Sequence, residues 1–421
     1  MSRLDIVVFG ATGFTGKHAV GHLARQSGPF AGLTWAVAGR SKKKLQDVID
    51  EVSKTSGKDL SSVRVIEAEV SDAESLVRMC QQARVVVNCC GPYRLHGKPV
   101  VRAAIDARAH YVDVSGEPQF IESMQLQYDA QARDAGVYVV SACGLDSVPN
   151  DMGVVYLDQH FGGTLNSVES YLSAEMPAQY QREAFSSGAI NYGTWESLVH
   201  SLAHYSELGP LRKKLYPDRL PTFKPKLQPR SLPSRFNDSW SVPFMGADNS
   251  IVYRTQRRLY ERDNKRPVQF RAYLKFSSIF YVALFYVFGG LLFLFTKMAF
   301  TKKLLLDYPR LFSCGFITKQ GPKKEVIENS VFTLELVGSG WAAGTDVDAE
   351  PPNKTMIVKM SAKDPGYGFT TMTLLLSAVT MLKEHDKIPT YGVLTTGAAF
   401  YNTSFLAKLE ENGTKIEVVQ N

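Results

Sequence analysis

The first 140 residues alternate between short apolar runs and segments with the spacing of an amphipathic helix. The runs are rich in β-branched and aromatic residues, which is typical of strands buried in a parallel sheet. Between two of them, Leu45, Val48, Ile49 and Val52 recur with helical spacing. This alternation predicts an α/β fold, with a doubly wound Rossmann sheet of strand order 3-2-1-4-5-6. The six runs are Ile6–Phe9, Thr34–Ala38, Val63–Ile66, Val85–Val87, Tyr111–Val114 and Val137–Val140.

The rest of the chain has a different pattern, which indicates a second domain. Residues 330–337 and 355–360 alternate between apolar and polar positions, as half-buried strands do, and 370–382 have helical spacing. A length of 421 residues also favours two or three domains. We predict a Rossmann domain over 1–165, a second, smaller α/β (α+β) domain over 166–375, and a C-terminal return to the Rossmann domain over 376–421.

A glycine-rich turn with the spacing G-x-x-G-x-x-G joins the first strand to the first helix. Strand, glycine turn and helix in this order are the context of a dinucleotide-binding fingerprint. Glycines let the backbone approach a pyrophosphate, whose charge is stabilised by free N–H groups at the helix N-terminus. The alternative is an ordinary tight turn of an α/β protein. The cofactor-binding residues predicted here are Gly10, Ala11, Thr12, Gly13, Phe14, Thr15 and Gly16.

The end of the second strand predicts which nicotinamide cofactor is preferred. An NAD enzyme usually has an acidic residue there, which binds the ribose 2′-hydroxyl. This chain has Arg40 and Ser41 instead, followed by lysines at 42–44. Cations in a first helical turn oppose the helix dipole, and a bound 2′-phosphate would offset that cost. We therefore predict NADPH as the cofactor, with a solvated basic turn capped by Ser41 as the alternative.

The loop after the fourth strand contains Cys90, Gly91 and Pro92, followed by Tyr93 and His96. Loops after the first and fourth strands flank the crevice of such a sheet, so the first three residues are predicted to contact the cofactor. Tyr93 and His96 are the candidate catalytic residues, because either side chain can donate a proton to a reduced substrate. The alternative is that Gly91 and Pro92 shape a turn and that Tyr93 packs.

An uncharged apolar segment over 276–296 follows a proline-rich and basic region over 209–275, and the two are predicted to interrupt the second domain. About 20 apolar residues are long enough to span a bilayer, and flanking basic residues suit anionic head groups. A core helix is the alternative, but it needs burial on every side. Gly289 and Gly290 lie where a hairpin would turn back. We therefore expect attachment to one face of a membrane or lipid droplet through 276–296.

The charge and the cysteine content limit the classes of function that the protein can have. The net charge of +7 is modest and dispersed, so we expect no nucleic-acid partner. The five cysteines have neither disulfide nor zinc spacing, which favours a reducing compartment and no metal site. The first strand begins by Asp5, so we expect no secretory signal. The expected location is the cytosolic face of a lipid droplet or of the endoplasmic reticulum membrane.

Several different short motifs follow one another along nearly the whole chain. They lie at 10–16, 38–41, 91–93, 111–117, 144–149, 193–194 and 391–397. Together they resemble the saccharopine dehydrogenase-like family, whose relatives include bacterial trans-acting enoyl reductases that use NADPH to reduce a lipid-attached double bond. The resemblance implies a Rossmann domain, a smaller inserted α/β domain, a C-terminal return and a homodimer.

Three functions fit these patterns. The first is an NADPH-dependent oxidoreductase attached to lipid droplets or membranes, which acts on an apolar, lipid-like small molecule with an enoyl or carbonyl group. The second is a catalytically silent, nucleotide-binding scaffold at lipid droplets. The third is a soluble amino-acid dehydrogenase of the saccharopine type, and the apolar segment argues against it.

Overall fold

The computed structural model describes residues 2–221 and 223–420, with the side chain of Phe185 excepted. The strands are β1 (Leu4–Phe9), β2 (Trp35–Gly39), β3 (Arg64–Glu67), β4 (Ala83–Asn88), β5 (His110–Asp113), β6 (Tyr138–Val140), β7 (Gly163–Glu175), β8 (Ile190–Asn191), β9 (Ser234–Phe236), β10 (Ser239–Pro243), β11 (Gln269–Phe276), β12 (Ile317–Thr318), β13 (Val331–Ala342), β14 (Lys354–Lys363), β15 (Gly392–Leu394) and β16 (Lys415–Gln420). The helices are α1 (Phe14–Ala24), α2 (Lys42–Ser56), α3 (Ala73–Gln81), α4 (Tyr93–Asp106), α5 (Pro118–Ala135), α6 (Val148–His160), α7 (Ala178–Ser187), α8 (Tyr192–Ala203), α9 (Leu208–Leu215), α10 (Asp248–Asp263), α11 (Ile279–Phe295), α12 (Ala299–Asp307), α13 (Pro309–Phe312), α14 (Lys324–Asn329), α15 (Thr370–Lys383), α16 (Thr396–Phe400) and α17 (Phe405–Glu411).

The chain divides into two compact units, each with its own seven-stranded sheet. Unit 1 extends to Leu145 and includes Gly366–Leu409, and unit 2 comprises Asp146–Pro365 and the segment from Glu410 onward. The sheet of unit 1 is parallel throughout, in the order β15-β6-β5-β4-β1-β2-β3. The predicted Rossmann order is therefore confirmed, and the C-terminal return adds β15 as a seventh strand.

The local sequence explains why unit 1 forms these elements. Val7 in β1 and Val86 in β4 have no exposed surface, as expected of central strands in a parallel sheet that is covered on both faces. Helix α2 begins where the Ser41 side chain accepts a hydrogen bond from the Lys44 N–H. It ends at Gly57, whose φ of 66° lies in the left-handed region that glycine adopts readily.

The sheet of unit 2 is mixed, in the order β16-β14-β13-β7-β11-β10-β9. β7 and β11 run parallel, and the other neighbouring pairs run antiparallel. Burial alternates along β13 and β14, which confirms the half-buried strands predicted there. Helix α6 approaches this sheet closely, because a β-carbon on Gly153 would lie only 2.7 Å from Leu336 Cδ1.

The observed units differ from the predicted domain boundaries in four ways. The predicted Rossmann domain, 1–165, includes α6, which instead packs on the unit 2 sheet. The predicted return, 376–421, begins earlier, at Gly366, and its last strand β16 pairs with β14 in unit 2. The region 209–275 is no interruption, since it supplies β9, β10 and β11 to the same sheet. Unit 2 is also the larger unit, not the smaller one.

Helix α11 covers most of the predicted apolar segment and runs through Gly289 and Gly290 without a break. The hairpin turn that these glycines would allow is therefore not formed. The chain instead bends by 120° between α11 and α12. Among the described residues, no single helix has the length and apolar composition that crossing a membrane requires, whereas the bent pair of α11 and α12 has them together.

Helix α11 is attached to unit 2 along one narrow side. Its buried residues are Val282 and Leu292, and Leu292 lies in a core cluster with Trp195, Val199 and Leu305. The remaining surface of α11 is largely exposed, so α11 is not the buried core helix considered as the alternative. Its exposed large side chains are Ile279, Phe280, Tyr281, Leu284, Tyr286, Val287, Phe288, Leu291, Phe293 and Leu294.

One carboxylate joins the elements of the C-terminal return within unit 1. Glu384, at the end of α15, is buried and accepts hydrogen bonds from the Ser404 N–H at 2.9 Å and from Lys387 Nζ at 3.0 Å. It also pairs with Lys408 of α17. Burial raises the pKa of Glu384, but the hydrogen bonds from Lys408 and Ser404 outweigh it and lower the pKa to about 2.

We expect Glu384→Gln to lower the free energy of unfolding at pH 7 by about 2 kcal/mol, the usual loss for charge-assisted hydrogen bonds. Since the folded pKa is depressed, this contribution is present above the ordinary pKa of 4.5 and is lost as the pH falls toward 2. Urea unfolding followed by circular dichroism at pH 7 and pH 3 measures the difference. Glu51→Gln, at an exposed ion pair with Lys17, is the control with a small effect. A loss for Glu384→Gln that is equal at both pH values contradicts the prediction.

Candidate functional site

The glycine turn after β1 is held by close backbone contacts. Gly10 has a φ of +80°, and a β-carbon there would lie 3.0 Å from Cys89 C and from Cys90 N. A β-carbon on Gly16 would lie 2.3 Å from the Gly10 carbonyl oxygen. Gly13 begins α1 without a side-chain cap. The turn therefore leaves the N–H groups at the start of α1 free of side-chain oxygens, as a pyrophosphate site requires.

The other predicted residues of the turn contribute mainly backbone. Ala11 is fully buried. Phe14 is half-buried, and its ring packs with its centroid 4.5 Å from that of Tyr367. Thr12 and Thr15 are half-buried. The turn thus has the shape of a phosphate cradle made of N–H groups, with two hydroxyl side chains beside it.

Arg40 and Ser41 lie at the end of β2. Ser41 Oγ accepts from the Lys44 N–H at 3.4 Å, so the predicted cap is present. Arg40 is exposed, and its charge acts on the loop after β4. Burial raises the pKa of the Cys90 thiol, and Arg40 opposes that rise. Burial lowers the pKa of His96, and Arg40 adds to that fall. The charge of Arg40 is therefore felt at the loop that follows β4.

The loop after β4 passes through a cis peptide bond between Gly91 and Pro92 into helix α4. The carboxylate of Glu117 accepts hydrogen bonds from the Tyr93 N–H at 2.8 Å and from the Arg94 N–H at 2.9 Å. This carboxylate compensates the N-terminal charge of α4 from within the protein. The Tyr93 and Arg94 N–H groups are therefore already bonded within the protein.

Tyr93 points into unit 1. Its ring packs 5.7 Å from that of Phe120. Its hydroxyl donates to the Asn88 carbonyl at 3.0 Å and accepts from the Val114 N–H at 3.4 Å. Burial raises the pKa of Tyr93 well above its usual range. The catalytic role of Tyr93 stays a prediction, and this geometry favours the alternative, in which Tyr93 packs and holds the loop.

The sequence pattern does not predict a buried polar network that lies at the carboxyl ends of β4, β5 and β6. Asp113 accepts from Tyr111 Oη at 2.8 Å, from Ser141 Oγ at 3.0 Å and from the Ser115 N–H at 2.9 Å. The Asn88 side chain donates to Tyr111 Oη at 2.9 Å. Burial raises the pKa of Asp113 to about 6. The network ties the carboxyl ends of β4, β5 and β6 together, and the only signal for it in the sequence is a polar residue at the end of each strand.

His96 is half-buried in the first turn of α4. Burial is the main cause of its lowered pKa, Arg40 lowers the pKa further, and Glu117 raises it. The proton-donor role of His96 stays a prediction.

The chain is similar to several known proteins. A family model described as "Saccharopine dehydrogenase NADP binding domain" matches residues 6–140. The human saccharopine dehydrogenase-like oxidoreductase is 38% identical over 425 residues, which cover 99% of this chain and 97% of the human one. A lipid droplet localized protein of Caenorhabditis elegans is 38% identical over 424 residues, 98% of this chain and 97% of the worm protein. The solved structure of apo saccharopine dehydrogenase (L-Glu forming) from Saccharomyces cerevisiae has a TM-score of 0.52 over 99% of both chains at 15% identity.

The parallel sheet and its glycine turn define a Rossmann-type protein, and the family model identifies this part of the chain as an NADP-binding domain. At 38% identity over nearly its full length, the chain belongs to the saccharopine dehydrogenase-like oxidoreductases. The resemblance deduced from the motifs is therefore confirmed.

We expect Gly16→Ala to weaken NADPH binding by more than tenfold, because its β-carbon would collide with the Gly10 carbonyl and displace the turn. Titration of nicotinamide fluorescence measures the affinity. Gly21→Ala is the matched control on the same helix, since a β-carbon there meets nothing within 4 Å. The control should bind as the wild type does and be more stable by about 1 kcal/mol. Equal affinities in the two variants contradict this account of the turn.

Proposed function

We propose that the protein is an NADPH-dependent oxidoreductase that works at the cytosolic face of a lipid droplet or membrane on an apolar enoyl or carbonyl substrate. The observation that carries the proposal is the presence, in one chain, of an NADP-binding cradle and an exposed apolar helix, α11. The resemblance to bacterial enoyl reductases supports an enoyl substrate, and the worm relative, named a lipid droplet localized protein, supports a lipid droplet as the location.

The preference for NADPH rests on the charge at the end of β2. Arg40 is followed by Ser41 and by lysines at 42–44, and this stretch carries no carboxylate for a ribose 2′-hydroxyl. A guanidinium binds a phosphate through two parallel hydrogen bonds, which suits the 2′-phosphate. The glycine turn would hold the pyrophosphate. When bound, the cofactor supplies the hydride, and this chain's residues position it.

We expect Arg40→Glu to lower the affinity for NADPH by at least about tenfold and to leave that for NADH nearly unchanged. The cause is repulsion of the 2′-phosphate, which NADH lacks. Fluorescence titration of both cofactors measures the ratio of the two affinities. Lys58→Glu introduces the same charge change at an exposed position outside the site and serves as the control. An equal loss for both cofactors refutes the assignment of Arg40.

Attachment to lipid rests on the surface of α11. An exposed apolar surface of this size on a water-soluble protein marks an interaction site. Its 17 residues form a helix of about 26 Å, shorter than the roughly 30 Å of a bilayer core. The 120° bend into α12 then turns the chain away. These dimensions favour a helix that lies in one leaflet, or in the monolayer of a droplet, over one that crosses.

We expect a variant with Phe280, Val287, Leu291 and Leu294 all changed to Gln to leave the membrane and droplet fraction for the soluble fraction, because these side chains form the exposed apolar face. Binding of NADPH should be unchanged. Flotation of cell lysates followed by immunoblotting measures the distribution.

A matched control changes two exposed apolar residues elsewhere in unit 2, Leu232 and Met245, to Gln. The control should float with the wild type. If the quadruple variant also floats with the wild type, α11 is not the attachment site. Protection of residues beyond Lys303 from protease in sealed microsomes refutes one-sided attachment.

A scaffold without turnover is the second candidate, and the inward orientation of Tyr93 favours it. Tyr93 Oη donates to the Asn88 carbonyl and accepts from the Val114 N–H, so its proton is held within the protein and is not presented to a substrate. NADPH consumption on addition of enoyl or carbonyl lipids, with Arg40→Glu as the inactive reference, separates the oxidoreductase from the scaffold.

A further inference from the structure

An open pocket of about 510 Å³ lies in unit 2 directly after the apolar helices. Its volume is in the range of sites for small ligands. The end of α12, helix α13 and the residues that follow β12 form its walls. The lining residues that matter here are Asp307, Tyr308, Arg310, Leu311, Thr318 and Lys319.

The walls of this pocket are tied to the body of unit 2. Thr318 pairs with β8 and donates from Oγ1 to the Ser187 carbonyl at 2.8 Å. On the other side, Trp195 Nε1 donates to the Leu305 carbonyl at 2.9 Å and holds the last turns of α12. These bonds place the pocket at a fixed position beside α11, since Leu292 packs in the same cluster as Trp195 and Leu305.

The pocket carries an excess of positive charge. Arg310 and Lys319 are exposed, and within the described part of the chain neither forms an ion pair. Arg310 donates one long hydrogen bond of 3.5 Å to the Ser186 carbonyl, and Lys319 Nζ lies 5.9 Å from the centre of the Tyr192 ring. Asp307 is the one carboxylate of the lining, so two cations face one anion. A site with this net positive charge attracts an anion.

The rim of the pocket is apolar on the side of the helix pair. Tyr308 is 57% exposed and Leu311 72% exposed, and they flank Arg310 in sequence. Phe300 and Met298, at the start of α12, continue the exposed apolar surface. Tyrosine is favoured at the boundary between lipid and water. An anion site bordered by apolar side chains suits a phosphate that is attached to an apolar group.

We propose that this pocket binds the phosphate of an anionic glycerophospholipid head group while α11 lies among the acyl chains. The proposal rests on the lipid attachment proposed above. The guanidinium of Arg310 has the planar donor geometry that matches two phosphate oxygens, and Lys319 adds a compact charge. The apolar rim then contacts the glycerol and the first acyl carbons, which a free phosphate lacks.

Calorimetric titration with dihexanoyl phosphatidic acid below its micelle concentration tests the pocket without a membrane. We expect the wild type to bind it, and Arg310→Gln/Lys319→Gln to bind it about tenfold more weakly. The control Lys54→Gln/Lys58→Gln removes the same charge from unit 1 and should bind as the wild type does. Equal affinity of the wild type for inorganic phosphate overturns the lipid assignment. Absence of wild-type binding, or an equal loss in the control pair, overturns the pocket.

Flotation with vesicles separates this proposal from the attachment by α11. The wild type should bind vesicles of phosphatidylcholine more strongly when phosphatidic acid is added. Arg310→Gln/Lys319→Gln should lose that gain and keep the wild-type binding to pure phosphatidylcholine. A gain that survives in the double variant overturns the head-group site. Failure of the wild type to bind either vesicle refutes the attachment by α11, and the titration above still decides the pocket.

Discussion

The close approach of two backbones at Gly10 is the constraint on which the nucleotide site depends. The turn after β1 passes so near the peptide that joins Cys89 to Cys90 that a β-carbon on Gly10 would lie 3.0 Å from two of its atoms. Gly16, in the first turn of α1, is more tightly restricted still, because its β-carbon would lie 2.3 Å from the Gly10 carbonyl oxygen. Because both contacts are between backbone atoms, they do not yield as a side chain would. They set the start of α1 and the loop after β4 at one edge of the sheet.

Buried carboxylates complete this arrangement. Glu117 binds the N–H groups at the start of α4, and Asp113 gathers donors from β5, from the segment after it and from Ser141. Both carboxylates lie inside the protein, where each accepts several hydrogen bonds. The cation of Arg40 stays exposed. Unit 1 therefore neutralises the N-terminus of α4 internally, whereas no side chain caps the N-terminus of α1.

Unit 2 combines a rigid sheet with an exposed apolar helix. The cluster around Trp195 and Leu292 fastens α11 along one side, and β12 pairs with β8 just beyond it. The exposed side of α11 thus has a fixed position on a folded body. A surface of this kind is suited to contact with lipid, since it exposes apolar area without any need to unfold.

Periodicity and short motifs in the sequence determined the Rossmann order, the glycine cradle, the cap at Ser41, the strands β13 and β14 and the family. These features depend on residues close together in the chain, where spacing and side-chain type report the local backbone directly. The predicted domain boundaries were wrong, because α6 and β16 are positioned by contacts with β13 and β14. These strands lie far from α6 and β16 in the sequence.

Only the tertiary structure decided the role of Glu117, the inward orientation of Tyr93, and the course of α11. The glycines at 289 and 290 weaken a helix locally, yet α11 continues through them to the cluster that contains Leu292. A helix-breaking tendency of about 1 kcal/mol per glycine is outweighed by packing on distant residues. The sequence by itself determines which surfaces are apolar or charged. Long-range packing determines which of them face inward and which remain for a ligand.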